Sequence, residues 1–263
     1  MTREEMRGVL ISLLKRLTKE KKSITLDEIY HHFKELKKNK SIQFDKNLLD
    51  EEIHLLLINN ILMRSEAWGM QPNWNHYALT EYGKECIEQD CIIALDPEGY
   101  LQQIKRSIQD IDPVIFEYLS ESIASFNKRL NLASTITLGV ASEQAILLLI
   151  DSFCLFIEGS CLKTYIDKLN NEKFIRSKYS IFIEALKKLP TEVKRALPNN
   201  YEIIIDSIFN CIKMNRDDTG HPKGGGKDRS LQGANLQAFR SYLVIIYQLI
   251  KYFGTAKLRE IDT

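Results

Sequence analysis

The chain has no pair of cysteines spaced as C-x-x-C, and its five cysteines, Cys86, Cys91, Cys154, Cys161 and Cys211, are odd in number. That argues against a disulfide framework and against a zinc ribbon. A reducing compartment, the cytoplasm, is expected, with Cys154 and Cys211 as small core residues. Charge of one sign is also missing. The formal net charge is +1, so any nucleic acid must be met by local patches rather than by a global basic field. Long apolar runs are absent too. The most apolar stretch, 145–157, is too short to span a bilayer and carries Asp151, so a buried core helix is expected and no membrane partner. The first helix interleaves Arg7, Lys15 and Arg16 with Met6, Val9, Leu10, Leu13 and Leu17, the pattern of an amphipathic helix rather than an export signal. No internal repeat and no low-complexity stretch is visible. What is present is ordinary: 263 residues, 44% apolar and 27% charged, enough for one or two domains with a sizeable core.

Residues 1–92 read as one domain. Thr25 followed by Glu28 is a capping box, and Ile29, Phe33 and Leu36 line one face of the helix it opens. Asp45 caps a third helix with Leu49, Ile53, Leu56 and Leu57 inward, and Asn59-Asn60 ends it. Ile61 to Ser65 reads as a strand, residues 69–73 as a turn, and Trp74 to Leu79 as the returning strand. Thr80 then caps a helix with Tyr82, Gly83, Cys86 and Ile87. Three helices, a hairpin and a closing helix follow the winged-helix order, and Leu79-Thr80-Glu81-Tyr82-Gly83 resembles the wing and final helix of such domains. Residues 1–40 hold eleven Lys or Arg against six Asp or Glu. The helix that would enter a groove is less basic: Lys46 and Asn47 open it, but Asp50, Glu51 and Glu52 follow and would repel phosphates. Nucleic-acid binding through Lys46, Asn47 and Arg64 and a protein-contact or dimerisation role both stay open. The run Lys37-Lys38-Asn39-Lys40 reads as a solvated helix end.

Asp96-Pro97-Glu98-Gly99 is turn-like, and the boundary is placed before it. Residues 93–263 read as wholly helical. Pro113 starts a helix with Ile115, Leu119, Ile123 and Phe126 inward, and a second runs from about Leu132 to Ile157. A third, with Phe174, Tyr179, Phe182 and Leu186 inward, stops at Pro190, and a short helical piece precedes Pro198. A fourth starts at Tyr201 with Ile204, Ile205, Ile208 and Ile212. The last carries Leu236, Phe239, Leu243, Ile246, Ile250 and Phe253 at alternating three- and four-residue spacing, the seam of a bundle helix.

Chemistry concentrates in Arg216-Asp217-Asp218-Thr219-Gly220-His221-Pro222. Gly220 suits a helix C-cap and Pro222 disfavours helical geometry at His221, so the imidazole leaves the helix while Arg216 stays on its last turn. Twelve arginines and five histidines make about 0.7 such spacings expected by chance; the context at the end of a bundle helix adds the weight. This segment resembles the R-x(4–6)-H motif of the HEPN superfamily at its shortest spacing, with the polar Asp217 after the Arg. Gly220-His221-Pro222 and Leu138-Gly139-Val140-Ala141-Ser142-Glu143 resemble one prokaryotic branch of these domains, and the resemblance covers roughly residues 112–253. It implies metal-independent RNA cleavage by a homodimer whose two motifs face each other. His221 would move protons to and from the 2′-hydroxyl and the leaving oxygen. Arg216 would hold the phosphate. Asp217 would orient His221 or an opposing Arg, and Glu143 would pair with Arg216 inside the bundle.

Lys223-Gly224-Gly225-Gly226-Lys227 fails the P-loop pattern, since Asp228 stands where Ser or Thr is required and no strand precedes it. It reads either as a glycine-rich lip on which Lys223, Lys227 and Arg229 attract RNA phosphates or as a plain solvated loop. His31 and His32 face different directions, and His54 and His76 lack ligand-spaced partners, so no metal and no cofactor is expected. The fold class is therefore mainly α, a winged helix-turn-helix domain followed by an all-α HEPN-like bundle. The expected activity is an endoribonuclease of a prokaryotic toxin or antiviral defence system, with RNA as substrate and an inhibitor or antitoxin as a further partner. The alternative is a non-catalytic winged-helix DNA-binding regulator or adaptor that uses the bundle to dimerise.

Overall fold

The computed structural model describes the backbone of residues 1–20, 23–40, 44–65, 76–88, 92–220, 229–255 and 258, and the side chains of these except 17–20, 37–40, 92 and 214–220. The protein is mainly α, with thirteen helices and a small three-stranded sheet among the described residues. It divides into two compact units, Met1–Gln103 and Ile104–Thr263. The turn-like segment at Asp96 belongs to the first of them.

The first unit opens with α1 (Arg3–Glu20), whose Met6, Leu10, Leu13 and Leu14 are buried. A two-residue strand, β1 (Ile24–Thr25), leads into α2 (Leu26–Lys40). The capping box closes both ways: the Glu28 N–H donates to Thr25 Oγ1 at 3.0 Å and the Thr25 N–H to Glu28 Oε2 at 2.9 Å. α3 (Lys46–Ile58) starts on Asp45, which accepts from the Asn47 N–H at 2.8 Å, and the chain leaves it through Asn60 in the left-handed region, φ 58°. β2 (Leu62–Arg64) and β3 (His76–Leu79) pair antiparallel, with Leu62 opposite Leu79. β1 joins the far edge of β3, with Ile24 opposite Tyr77, so the order is β1-β3-β2 and the returning strand is central. Two residues carry too little alternation to announce a strand, which is why the sequence pattern shows only the hairpin. Trp74 and the turn 69–73 lie outside the described residues.

α4 (Glu81–Glu88) is set by Thr80. Its Oγ1 donates to the Asn60 carbonyl at 2.6 Å and accepts from the Gly83 N–H at 2.8 Å. A Cβ on Gly83 would stand 2.1 Å from the Ile61 carbonyl oxygen, so only glycine allows this approach. The segment expected as a link is instead helical, α5 (Ile92–Leu95) and α6 (Pro97–Ser107), and Ala94 and Leu95 join the first core. Asp96 caps α6 by accepting from the Gly99 N–H at 2.9 Å. It also receives Arg7, which is buried and reaches Glu52, Asp96 and, at 2.7 Å, Glu98. Burial works against the Arg7 charge, but Glu52 and the other carboxylates outweigh it and hold its pKa above the ordinary arginine value.

The second unit is a helical bundle. Asp112 caps α7 (Pro113–Asn127), accepting from the Ile115 N–H at 3.1 Å with Pro113 in the first turn. All four expected apolar residues of α7 are buried. Arg129, φ 62°, turns the chain into α8 (Asn131–Ile157). The apolar run 145–157 is thus only the second half of a 27-residue helix. Among the described residues α8 alone is long and apolar enough to cross a membrane, and 50% of its most apolar window is buried inside the structure. It is the central helix of the bundle, packed against α7 and the two helices that close the unit.

α9 (Thr164–Asn171) carries Tyr165 and Leu169 inward and packs on α10 (Ile175–Lys187). Tyr179, Phe182 and Leu186 of α10 are buried, but Phe174 precedes the helix and is 73% exposed, against expectation. α11 (Thr191–Ala196) is the short piece before Pro198. α12 (Tyr201–Gly220) buries Tyr201, Ile205, Phe209 and Ile212. α13 (Arg229–Thr255) buries Leu236, Phe239, Tyr242, Leu243, Ile246, Leu249 and Phe253, with Ile250 half-buried. Phe153 holds the core of one end, with Phe182 at 5.1 Å and Phe253 at 5.3 Å between ring centroids. Among the described cysteines it is Cys86 that is buried, and Cys91 lies outside the described residues. Cys154 and Cys211 are half-buried rather than core, and Cys161 is exposed.

Candidate functional site

Three contacts set the levels of the bundle. Thr135 Oγ1 donates to Gln232 Oε1 at 3.2 Å, Ser142 Oγ to the Tyr242 hydroxyl at 3.0 Å, and Phe153 packs on Phe253, so α8 and α13 run parallel. α12 runs against them. Cys211 Sγ donates to Asn235 Oδ1 at 3.3 Å, while Asp206, accepting from the Tyr179 hydroxyl at 3.2 Å, lies nearer the level of Tyr242. The C-terminal turn of α12 therefore stands beside the first turn of α13, the C-terminal end of α7 and the N-terminal end of α8.

Arg216 and Asp217 have backbones on that last turn of α12, which stays helical through Gly220; their side chains lie outside the described ones. His221, Lys223 and Lys227 lie outside the described residues altogether. Along α12 the buried positions 201, 205, 209 and 212 recur three or four apart, and position 216 continues this inward stripe. Position 216 is thus the next at that spacing, on the last turns of the helix.

What surrounds that level is polar. The Ser122 hydroxyl donates to the Ser134 carbonyl at 2.7 Å, and Gln232 Nε2 donates to Ser134 Oγ at 2.8 Å. Thr135 donates to Gln232 and, at 2.8 Å, to the Asn131 carbonyl. All of Ser122, Ser134, Thr135, Gln232 and Asn235 are buried. Among the described residues Asn235 Nδ2 has no hydrogen-bond partner, a spare donor inside the layer. Sequence reasoning missed this layer. Its signal was present: Gln232 and Asn235 stand four residues before Leu236 and Phe239 and extend the apolar seam of α13 with polar residues.

Arg229 is not a lip residue. It is the first residue of α13, half-buried, with its guanidinium carbon 4.3 Å from the Phe126 ring centroid and its nitrogens shielded from solvent. Burial pushes the Tyr242 hydroxyl above its ordinary pKa, and Glu143, next to Ser142 on α8, adds to it. The Arg216 side chain, its expected partner, lies outside the described ones. The backbones of Arg216 and Arg229 stand at one end of the bundle.

In the first unit Lys46 is exposed, with Nζ 4.7 Å from the Tyr30 ring centroid. Asn47 is exposed beside it, and Arg64 is exposed at the end of β2. The groove along α3, about 550 Å³, is lined by Asn47, His54 and Leu55 but also by Asp50 and Glu51. Tyr30 donates to Asp50, and Arg3 pairs with Glu51 and, at 3.2 Å, with Glu52. Among the described residues no group of three or more His, Cys, Asp or Glu is placed to hold a metal ion. The chain matches no protein-family model, no curated protein and no solved structure in comparisons with known proteins.

Proposed function

We propose that this chain is a metal-independent endoribonuclease of the HEPN type, with a winged-helix unit before the catalytic bundle. More particularly, we take it for an RNase effector of a prokaryotic toxin or antiviral system, acting in the cytoplasm as a homodimer held by an inhibitor or antitoxin. The observation that carries this is the buried polar layer at the level of Arg216. Ser122, Ser134, Thr135, Gln232 and Asn235 gather at the one end of the bundle where α12 carries Arg216, and a hydrogen-bonded polar layer there suits polar chemistry. The order of helices and strands in the first unit, with β1 on the far side of β3, supports the winged helix.

In this mechanism His221 takes the proton of the RNA 2′-hydroxyl as it attacks phosphorus, or gives one to the departing 5′-oxygen. The products are a 2′,3′-cyclic phosphate and a free 5′-hydroxyl, and DNA is spared because it has no 2′-hydroxyl. Arg216 offsets the charge that builds on the phosphoryl oxygens. A partner copy facing the segment would supply the second imidazole and guanidinium.

The test is cleavage of structured and unstructured RNA in EDTA. Activity in the parent chain that vanishes in Arg216→Ala and His221→Ala supports the assignment, and undiminished activity in both ends it. The DNA-binding regulator reading is disfavoured by the acidic α3 face. It predicts salt-sensitive DNA affinity that weakens in Lys46→Ala or Arg64→Ala.

A further inference from the structure

Charge is unevenly placed along the chain. Residues 161–197, which form α9, α10 and α11, hold nine Lys or Arg against four Asp or Glu, while the rest of the chain has four more acids than bases. The Tyr165 hydroxyl donates to Glu184 at 2.7 Å, so α9 folds back along α10. Lys168 and Lys188 both stand over the Tyr165 ring, with Nζ 4.7 and 5.2 Å from its centroid. Lys194 of α11 donates to the Lys187 carbonyl and brings a further cation to the same end of α10. On α10 the exposed residues Arg176, Ser180, Glu184 and Lys187 recur three or four apart and share one face. The one carboxylate there, Glu184, is held by Tyr165 and by Lys188 at 3.4 Å. Among the described residues Lys173, Arg176 and Lys187 form no ion pair. Phe174 stands in the chain between Lys173 and Arg176, and of the large apolar side chains described in this stretch it alone is exposed.

A face that is merely solvated mixes both signs. Binding to an anionic membrane needs an apolar face to enter the bilayer, and a protein interface needs an apolar centre; one exposed ring among cations supplies neither. It suits a nucleic-acid strand, with a charge on every phosphate and bases that stack on an aromatic ring. The geometry points to a binding surface for single-stranded RNA on α9, α10 and α11, with Lys173, Arg176 and Lys187 on phosphates and Phe174 against a base. It is separate from the proposed cleavage site: Phe182 of α10 packs on Phe153, about 27 Å along α8 from Thr135 and the polar layer. The choice of RNA over DNA rests on the RNase reading; the affinity for a single strand rests on this face alone.

The experiment titrates the full chain into a fluorescent single-stranded RNA of about twenty nucleotides, its 2′-hydroxyls methylated so that none is cut, and reads Kd by anisotropy across a salt series. The triple variant Lys173→Gln, Arg176→Gln, Lys187→Gln weakens binding about a hundredfold at ~0.1 M salt and lowers the salt slope by about 2. Phe174→Ala weakens it about tenfold with the slope unchanged, and Phe174→Trp keeps the parent affinity. With unmethylated RNA the triple variant raises KM about tenfold or more while kcat stays within about twofold. A triple variant whose Kd stays within about threefold of the parent's overturns the surface, and so does a parent chain with no RNA affinity. Unchanged RNA binding beside lost binding to phosphatidylserine vesicles overturns it too and makes the face a membrane contact. If the parent binds RNA but cleaves none, the RNase reading falls and the surface stands. If circular dichroism shows the triple variant unfolded, Phe174→Ala and Phe174→Trp decide the surface alone.

Discussion

The two units bury polarity in different ways. The first encloses a charge: Arg7 and Glu52 are both buried, with Asp96 and Glu98 closing around the guanidinium. The second buries mostly neutral polar side chains among its described residues, serines, a threonine and amides largely between α7, α8 and α13, beside a half-buried Arg229 whose nitrogens are shielded. A buried charge tolerates no missing partner, so the first arrangement draws residues from positions 7, 52, 96 and 98 and ties the segment after Leu95 into the fold. A neutral layer is cheaper to assemble and cheaper to lose. The first device belongs to architecture; the second sits where the proposed chemistry is.

Four changes would break or sharpen that contrast. Arg7→Met leaves the buried Glu52 with only the exposed Arg3 and the half-buried Asp96 without its cation, and should destabilise the first unit by about 3–5 kcal/mol. The check is the urea midpoint, with hydrogen exchange showing the loss confined to residues 1–103. A loss under about 1 kcal/mol would mean that the cluster is solvated and the contrast empty. Gln232→Leu leaves Ser134 and Thr135 short of a partner and should cost about 1–3 kcal/mol, in the second unit only. Its fingerprint under the RNase reading is a further drop in cleavage beyond what stability explains.

Tyr242→Phe removes one buried hydroxyl pair with Ser142 and should cost about 1 kcal/mol, read from thermal unfolding. The smallest effect concerns His32, whose pKa burial lowers below 6.5, with the nearby Arg16 and His31 adding to it. The unfolded chain then binds the proton first, so stability falls as pH drops through the ordinary histidine value toward the folded one. His32→Gln should flatten that slope in a pH series of urea midpoints, and an unchanged slope would discard the assignment.

Much of the fold was legible locally. Thr25, Asp45, Asn60 and Thr80 act at helix ends, mostly through atoms within three residues, and Pro113 opens α7; short-range chemistry of this kind is written in sequence order. The inward stripes of α7 and α13 followed from spacing; on α12 Ile205 and Ile212 did, but Tyr201 and Phe209 are buried and Ile204 and Ile208, read as inward, are half-buried. The misses have one cause, a short element or a residue judged without its neighbours. β1 is two residues long, α5 four, and Phe174 is apolar yet outside the helix it precedes. At the site, Arg216 and His221 were legible as a spacing and a helix end. The polar layer was not, because Ser, Thr, Gln and Asn on a helix read as solvated until another helix covers them.

The sequence by itself determined where several of the helices start and stop, that two blocks of different character follow one another, and that an Arg–His spacing lies where a bundle helix ends. Those are properties of neighbours along the chain. Only the tertiary structure decided that Arg7 is a buried hub, that Gln232 and Asn235 belong to a buried polar layer, and that Arg229 is held on Phe126 at the start of α13. Each depends on the register between helices distant in sequence, and register is set by packing of whole faces, which no single spacing encodes.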